Sequence, residues 1–253
     1  MNWKMKWYSI LINGVLIVAN SCHEKSVNNS RVEELPYYSD AYFTPHWLSS
    51  DSDSLIDFHQ IPDFSLINQN GEPFTEKNVS NKIYVVNFFF TTCPGICPKV
   101  TANLIVVQDA FSPADSILLL SHTVTPGIDS LPRLKKYALE KEVNDTMWQL
   151  LTGDREQIYS LGRNSYFVEE DLGIDKPNEA FLHTENFILV DQNRHIRGIY
   201  NGLNSASVNQ LIKDIRLLKK RMWMIMFVKT IYHVYQLHLN QSRFLEQTNC
   251  SSR

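Results

Sequence analysis

Cys93 and Cys97 lie in one short stretch, Thr91-Thr92-Cys93-Pro94-Gly95-Ile96-Cys97-Pro98, and are the residues best equipped for chemistry. Three residues separate them, one more than in a thioredoxin-type redox pair. Two thiolates this close can bind a soft metal ion, exchange with disulfides, or close into a disulfide of their own. Copper(I) is satisfied by two sulfurs and accepts an imidazole as third donor, whereas structural zinc wants four ligands. A purely structural disulfide is the bland alternative, because exported proteins use such bonds to hold themselves together. The pair alone does not choose; a third ligand would.

The elements that must position the pair stand on either side of it. Lys82 to Phe90 (KIYVVNFFF) is β-branched and aromatic almost throughout, the pattern of a strand buried on both faces. From Lys99 to Ala110, and on to Phe111, apolar residues Val100, Leu104, Val107 and Phe111 recur at helical spacing. The cysteines therefore fall on a strand-to-helix turn at the carboxyl end of a central strand, where open α/β sheets carry their sites. Pro98 suits the first helical position. That choice leaves both cysteines just outside the helix, facing the positive end that favours a thiolate.

The rest of the chain reads in order as follows. Residues 1–21 form an export signal, with Lys4 and Lys6 before the apolar run Ser9 to Ala19, which is short for a bilayer span. Ala19-Asn20-Ser21-Cys22 resembles the cleavage box of bacterial lipoproteins, with Cys22 as the acylated residue; an ordinary export signal is the other reading. Both put the mature chain in an extracytoplasmic compartment. Residues 22–59 supply a polar tether and an extended aromatic arm, in which His46 and His59 are packing residues. The domain spans residues 60–220 and opens with a hairpin around Asn70-Gly71.

A second buried strand follows over 116–120, leading to His122 near the site end of the sheet, either a polar strand terminus or a residue supporting the ligands of the site from behind. A helix starts with Asp129 or Ser130 as N-cap and runs to about Lys141. A third strand covers 148–152, and Asp154 caps the helix 155–161. A polar loop over 163–177, an antiparallel strand pair over 186–191 and 195–200, and a helix over 205–220 complete it. A βαβ unit followed by ββα is a thioredoxin-like α/β arrangement, a mixed sheet flanked by helices with an N-terminal hairpin added.

Residues 221–253 form an apolar, aromatic tail interrupted by Lys229, His233 and His238. It is too short and too polar for a membrane span, which leaves a membrane-surface helix, an extra packing helix or a stretch of little function. Cys250 is assigned no role. A net charge of −3, with no basic cluster before the tail, gives no electrostatic case for nucleic acid.

His183 enters the strand over 186–191, a segment that passes beside the cysteine turn in a thioredoxin-like fold, so it is the candidate third donor. Thr92-Cys93-Pro94-Gly95-Ile96-Cys97-Pro98, followed far downstream by His183-Thr184 and an apolar strand ending at Asp191, resembles the Sco (SenC) family. Thr125-Pro126 through Leu131-Pro132, and Trp148-Gln149-Leu150-Leu151-Thr152-Gly153, extend the likeness over residues 60–220. The resemblance implies a thioredoxin-fold copper chaperone for the copper A centre of cytochrome c oxidase. Its copper ligands, for Cu(I) and Cu(II), fall on Cys93, Cys97 and His183. The implied partner is the oxidase subunit carrying copper A or another copper or thiol target, met at the membrane to which lipid on Cys22 ties the chain.

Many members carry Asp at the positions of Thr125 and Leu182, and its absence here bears on partner choice and transfer rate more than on copper binding. The rival reading is an enzyme: an extracytoplasmic thiol-disulfide oxidoreductase in which Cys93 attacks and Cys97 resolves. A thiol peroxidase is a weaker third, since no Arg flanks the turn.

Overall fold

The computed structural model describes residues 30, 32–168, 184–224, 227 and 231. Cys22, His183 and Cys250 lie outside the described residues, as do residues 1–21, read as an export signal, and most of the tail. Strands β1 (Ser65–Ile67) and β2 (Pro73–Thr75) form the expected antiparallel hairpin. Gly71 takes a φ of +81° at its turn, a conformation open to glycine without strain. Then come β3 (Ile83–Phe89), α1 (Cys97–Asp109), β4 (Ile117–Thr123), α2 (Leu131–Glu140), β5 (Trp148–Leu151) and α3 (Arg155–Ser160). Strands β6 (Asn186–Val190) and β7 (Ile196–Asn201) precede α4, which covers residues 205–224.

The main sheet has the order β5-β4-β3-β6-β7, so the strand that launches the cysteine turn lies at its centre. Strands β3, β4 and β5 are parallel, and β6 runs antiparallel to both β3 and β7. Every residue of β3 is buried, as its unbroken apolar text requires. Ile83, Val85 and Phe89 pack under Val100, Leu104 and Val107 of α1 and Leu211 and Ile215 of α4. Tyr84, Val86 and Phe88 face the other layer, with Leu66 and Phe74 of the hairpin and Ile158 of α3. The sheet is mixed and covered on both faces, and the fold is thioredoxin-like.

Two boundaries differ from the sequence reading. Helix α1 begins at Cys97, so only Cys93 stays outside it. Pro98 sits in the second helical position rather than the first, which costs nothing because that N–H would also lack an intrahelical partner. Strand β4 runs on to Thr123, taking His122 inside the sheet. Pairing of His122 and Thr123 with Phe88 and Phe89 explains the extension. Asp154 caps α3 as read, accepting from the Gln157 N–H at 2.8 Å.

The arm packs on the domain through a buried cation. Arg197 of β7 pairs with Asp191 at 2.9 Å, and each side chain is about 5% exposed or less. Arg197 also donates to the carbonyls of Pro36 (3.0 Å) and Leu35 (2.6 Å), and its guanidinium lies 3.7 Å from the centre of the Tyr37 ring. One side chain thus clips the arm to the sheet edge, aided by the Tyr38–Ile196 bridge. Removing one member of such a buried pair leaves the other charge uncompensated, at a cost of about 3–5 kcal/mol. Arg197→Ala is therefore expected to lower unfolding free energy by about that amount in urea titrations. It should also expose the arm around Tyr37 to proteases at denaturant concentrations where the wild-type chain is intact.

Candidate metal and thiol centre

The centre is built from the carboxyl end of β3 outward. After Phe89 the chain leaves the sheet at Phe90 and turns, the Cys93 N–H donating to the Phe90 carbonyl at 3.3 Å. Pro94 and Gly95 form an exposed tip, and a Cβ built on Gly95 would meet nothing within 4 Å. Ile96 caps α1, and its carbonyl accepts from the N–H groups of Lys99 and Val100, each at 3.0 Å. Cys97 is 8% exposed and packs with Phe89 and Val100; Cys93 is half-buried against the same cluster. Both cysteines are free thiols.

Their environments separate their acidities. Burial works against ionisation of Cys93. Hydrogen bonds from the Cys97 thiol and from the N–H groups of Cys97, Gly95 and Ile96 outweigh that, and its pKa falls below the ordinary thiol value. Burial, then the hydrogen bond and charge of Cys93, push the Cys97 thiol up to about 12. The turn therefore presents one accessible thiol that ionises more readily than usual, with a buried, less acidic thiol behind it. Tyr137 of α2 closes the inner side, 5.5 Å from Phe89 between ring centres and bonded to the Thr101 hydroxyl at 2.9 Å.

Of the two cap candidates that the sequence offers, Ser130 is the N-cap, without a side-chain hydrogen bond, and the Asp129 side chain turns elsewhere. The Asp129 carboxylate is fully buried and turned toward the cysteine turn. It accepts from the Thr91 hydroxyl (2.5 Å) and N–H (3.3 Å), the Thr125 hydroxyl (3.0 Å) and the Thr123 hydroxyl. The first residue of the cysteine motif is thereby tied to the end of β4. An Asp directly before Ser reads as either cap or clamp, because both roles want a short carboxylate. The threonines at 91, 123 and 125 were the available signal.

Strand β6 begins beside the cysteine turn. Its pairing with β3 sets Val86 opposite Ile188. Two further residues along that register, Asn186 is level with Phe88, so β6 begins at the edge from which the cysteine turn leaves. Thr184 is the first described residue of this approach, one position after His183. The approach is fastened to the cysteine helix: Asn103 of α1 donates to the Gly202 carbonyl at 2.6 Å, and the Gly202 N–H donates to the Glu185 carbonyl at 2.8 Å. A Cβ on Gly202 would lie 2.6 Å from that same Glu185 oxygen.

His122 has no part in the centre. It lies on the opposite face of the sheet, fully buried, stacked 5.1 Å from Phe88 and 5.8 Å from Tyr166. Burial pushes its pKa down to about 3, which keeps the ring neutral. His46 and His59 pack in the arm as expected, the His59 ring bonding the Ser165 carbonyl at 2.8 Å. A cleft of about 700 Å³ lies between Ser50–Gln60 and Gln192–His195 and contains neither thiol. An ion needs donors rather than volume.

A thioredoxin-like sheet with a dithiol turn at the end of its central strand defines a class of thiol and metal proteins. The comparisons narrow it. The SCO1/SenC family model matches residues 54–220, and the chain belongs to that family. A SCO1/SenC family lipoprotein from Bacillus anthracis superposes with a TM-score of 0.56 at 29% identity, over 63% of this chain and 95% of that one. BsSco, described with a disulfide switch and as a member of the Sco family of cytochrome c oxidase assembly proteins, gives 0.54 at 24% identity over 64% and 94%. A candidate copper-binding protein of Stutzerimonas stutzeri is 25% identical over 140 residues, 54% of this chain and 67% of that one.

The acidity difference makes a pH prediction. A thiol with a lowered pKa is thiolate at lower pH, so alkylation by iodoacetamide should show a fast phase with a midpoint below the ordinary thiol value. That phase should vanish in Cys93→Ser, while Cys97 stays unmodified until strongly alkaline pH. Asp129→Ala, by releasing Thr91, should loosen the N–H groups that hold the Cys93 thiolate and move the midpoint upward. Mass spectrometry of the alkylated peptides checks both.

Proposed function

We propose that this chain is a membrane-tethered, extracytoplasmic copper carrier for the copper A centre of cytochrome c oxidase, with Cys93, Cys97 and His183 as ligands. The observation that carries the reading is the open dithiol turn with its unequal thiols, level with the start of β6, which lies three residues after His183 in the sequence. Thiolate, thiolate and imidazole are a soft donor set suited to Cu(I), and Cu(II) can be held by the same three. The exposed tip at Pro94-Gly95 lets a partner's thiols approach, so that copper passes by stepwise ligand exchange.

Family membership and the Stutzerimonas relative support copper; BsSco supports the tie to oxidase assembly. The lipoprotein relative supports an anchor on Cys22. Among the described residues no helix is long and apolar enough to cross a membrane.

The same acidities favour a second reading, reduction of a target disulfide before metal loading. The Cys93 thiolate attacks one target sulfur and releases the other as a thiolate. The Cys97 sulfur, on losing its proton, then attacks Cys93 Sγ and frees the target's remaining sulfur. The target gains two electrons as two thiols, and the carrier is left with a Cys93–Cys97 disulfide.

Anaerobic Cu(I) titration against a competing chelator separates the readings. Reduced protein should take up one copper per chain and oxidised protein none. Cys93→Ser and Cys97→Ser should each abolish tight binding. His183→Ala should weaken it sharply while leaving disulfide exchange with a partner peptide at the wild-type rate. Unchanged affinity in His183→Ala would remove that residue from the site; exchange without any copper uptake would leave the enzyme reading.

Gly202→Ala tests the approach to His183 separately. Its Cβ would press on the Glu185 carbonyl, so copper affinity should fall while the pH midpoint of Cys93 alkylation stays put. The same titration and alkylation assays read both outcomes.

A further inference from the structure

Helix α4 continues past the family match, which ends at residue 220, and carries apolar side chains into solvent. Trp223, Met224, Phe227 and Ile231 are helical and 58%, 56%, 68% and 54% exposed. Trp223, Phe227 and Ile231 recur every four residues, a single stripe along one side of the helix. At the root of the stripe is an open notch of about 350 Å³, lined by Phe111, Asp115, Arg216, Lys219, Lys220 and Trp223, with Ala110 at its floor. Lys219 pairs with Asp115 and Arg216 lies over the Phe111 ring at 5.7 Å. Three cations therefore face one carboxylate there.

The imbalance continues along the chain. After Asp214 the next carboxylate is Glu246, while Arg216, Lys219, Lys220, Arg221, Lys229 and Arg243 lie between them. An apolar stripe rising from a cationic notch is the pattern of a helix lying in a membrane interface, with anionic headgroups at the basic residues and Trp at the boundary.

We infer that the C-terminal end of α4, with Phe227 and Ile231 just past it, docks on an anionic lipid surface. The arm agrees with this occupant. Ser30 bonds Asp214 and Glu34 pairs with Arg221, so the start of the described arm lies along the same helix. The orientation that results has a functional sense. The notch sits at the carboxyl end of α1, and the cysteine turn at its amino end, 13 residues or about 20 Å away. Lipid contact at one end turns the thiols away from the bilayer, toward partners that project from it. The inference depends neither on copper binding nor on acylation of Cys22, and it survives the failure of either.

Tryptophan quenching by lipids brominated on their acyl chains tests it on the full chain. The fluorescence of the wild-type chain minus that of Trp223→Phe isolates Trp223 from the other tryptophans, including Trp3 and Trp7. On phosphatidylglycerol vesicles the Trp223 component should fall about twofold or more relative to unbrominated vesicles. On phosphatidylcholine vesicles the loss should be clearly smaller, because the notch has no anionic headgroup to hold. Phe227→Glu with Ile231→Glu, exposed positions whose change leaves the circular dichroism intact, should abolish the quenching. A Trp223 component untouched by brominated lipid, or quenched equally in both vesicles, would overturn the inference. So would shielding of Trp223 from acrylamide without vesicles that disappears on dilution, which would make a second copy of the chain the occupant.

Discussion

A buried carboxylate holds the working end of this protein together. Asp129 is removed from water and satisfied by the Thr91 N–H and by three threonine hydroxyls drawn from two places in the chain. A buried carboxyl group in that position is tolerable only while its donors stay, since a buried polar group left without partners costs about 1–3 kcal/mol or more. The bonds therefore act as a constraint on geometry: the exit of β3 and the exit of β4 cannot separate without stranding it. Everything at the thiols follows from that fixed exit. The N–H groups of Gly95, Ile96 and Cys97 converge on the Cys93 sulfur because the turn cannot relax, and Cys97 is carried into the first turn of α1 where burial raises its pKa.

The unequal thiols account for why two chemistries are hard to separate in one turn. A metal carrier must hold its cargo and let it go, which calls for one ligand exposed to competitors and another kept back. A dithiol reductant calls for one nucleophile and one resolving sulfur. Cys93, half-buried with a lowered pKa, and Cys97, buried with a raised one, meet both descriptions. What distinguishes them is the imidazole, which only the copper reading uses. The physical weight of the proposal thus rests on β6, and on the Asn103–Gly202–Glu185 contacts that fasten its start to the cysteine helix.

The parts legible in sequence were those fixed by local chemistry. The run Ile83 to Phe89 could only be a doubly covered strand, Asn70-Gly71 only a hairpin turn, and Asp154 before Arg155 acts as the cap it reads as. The family likeness rested on other local text: Thr92 to Pro98, His183-Thr184 before the strand ending at Asp191, Thr125 to Pro132 and Trp148 to Gly153. What sequence did not yield was the direction of side chains whose alternatives are chemically equivalent. Asp129 satisfies N–H groups or hydroxyls equally well, and tertiary packing chose the hydroxyls. His122 ends an apolar run and looks like a polar terminus, but pairing with Phe88 continues the strand through it and seals the ring in the far layer. Cys97 moved into the helix because proline is equally at home in the first or second position.

The tail illustrates the same limit at a larger scale. Its composition left a surface helix, a packing helix and a purposeless stretch equally open, since apolar residues alone do not say what covers them. Structure shows where α4 stops being buried, and the inferred lipid contact starts from there. Val208, Leu211, Ile215 and Leu218 face the core, and the next helical turns turn apolar groups outward beside a cluster of cations. A second copy of the chain would bring its own cations to the same place and would have to bury like charges against each other. A surface of phosphodiesters meets both the stripe and the notch without that penalty. Because α1 separates the notch from the cysteine turn by its full length, the constraint at Asp129 and the contact at the tail address opposite ends of one rigid layer, and the orientation of the thiols becomes a property of the fold.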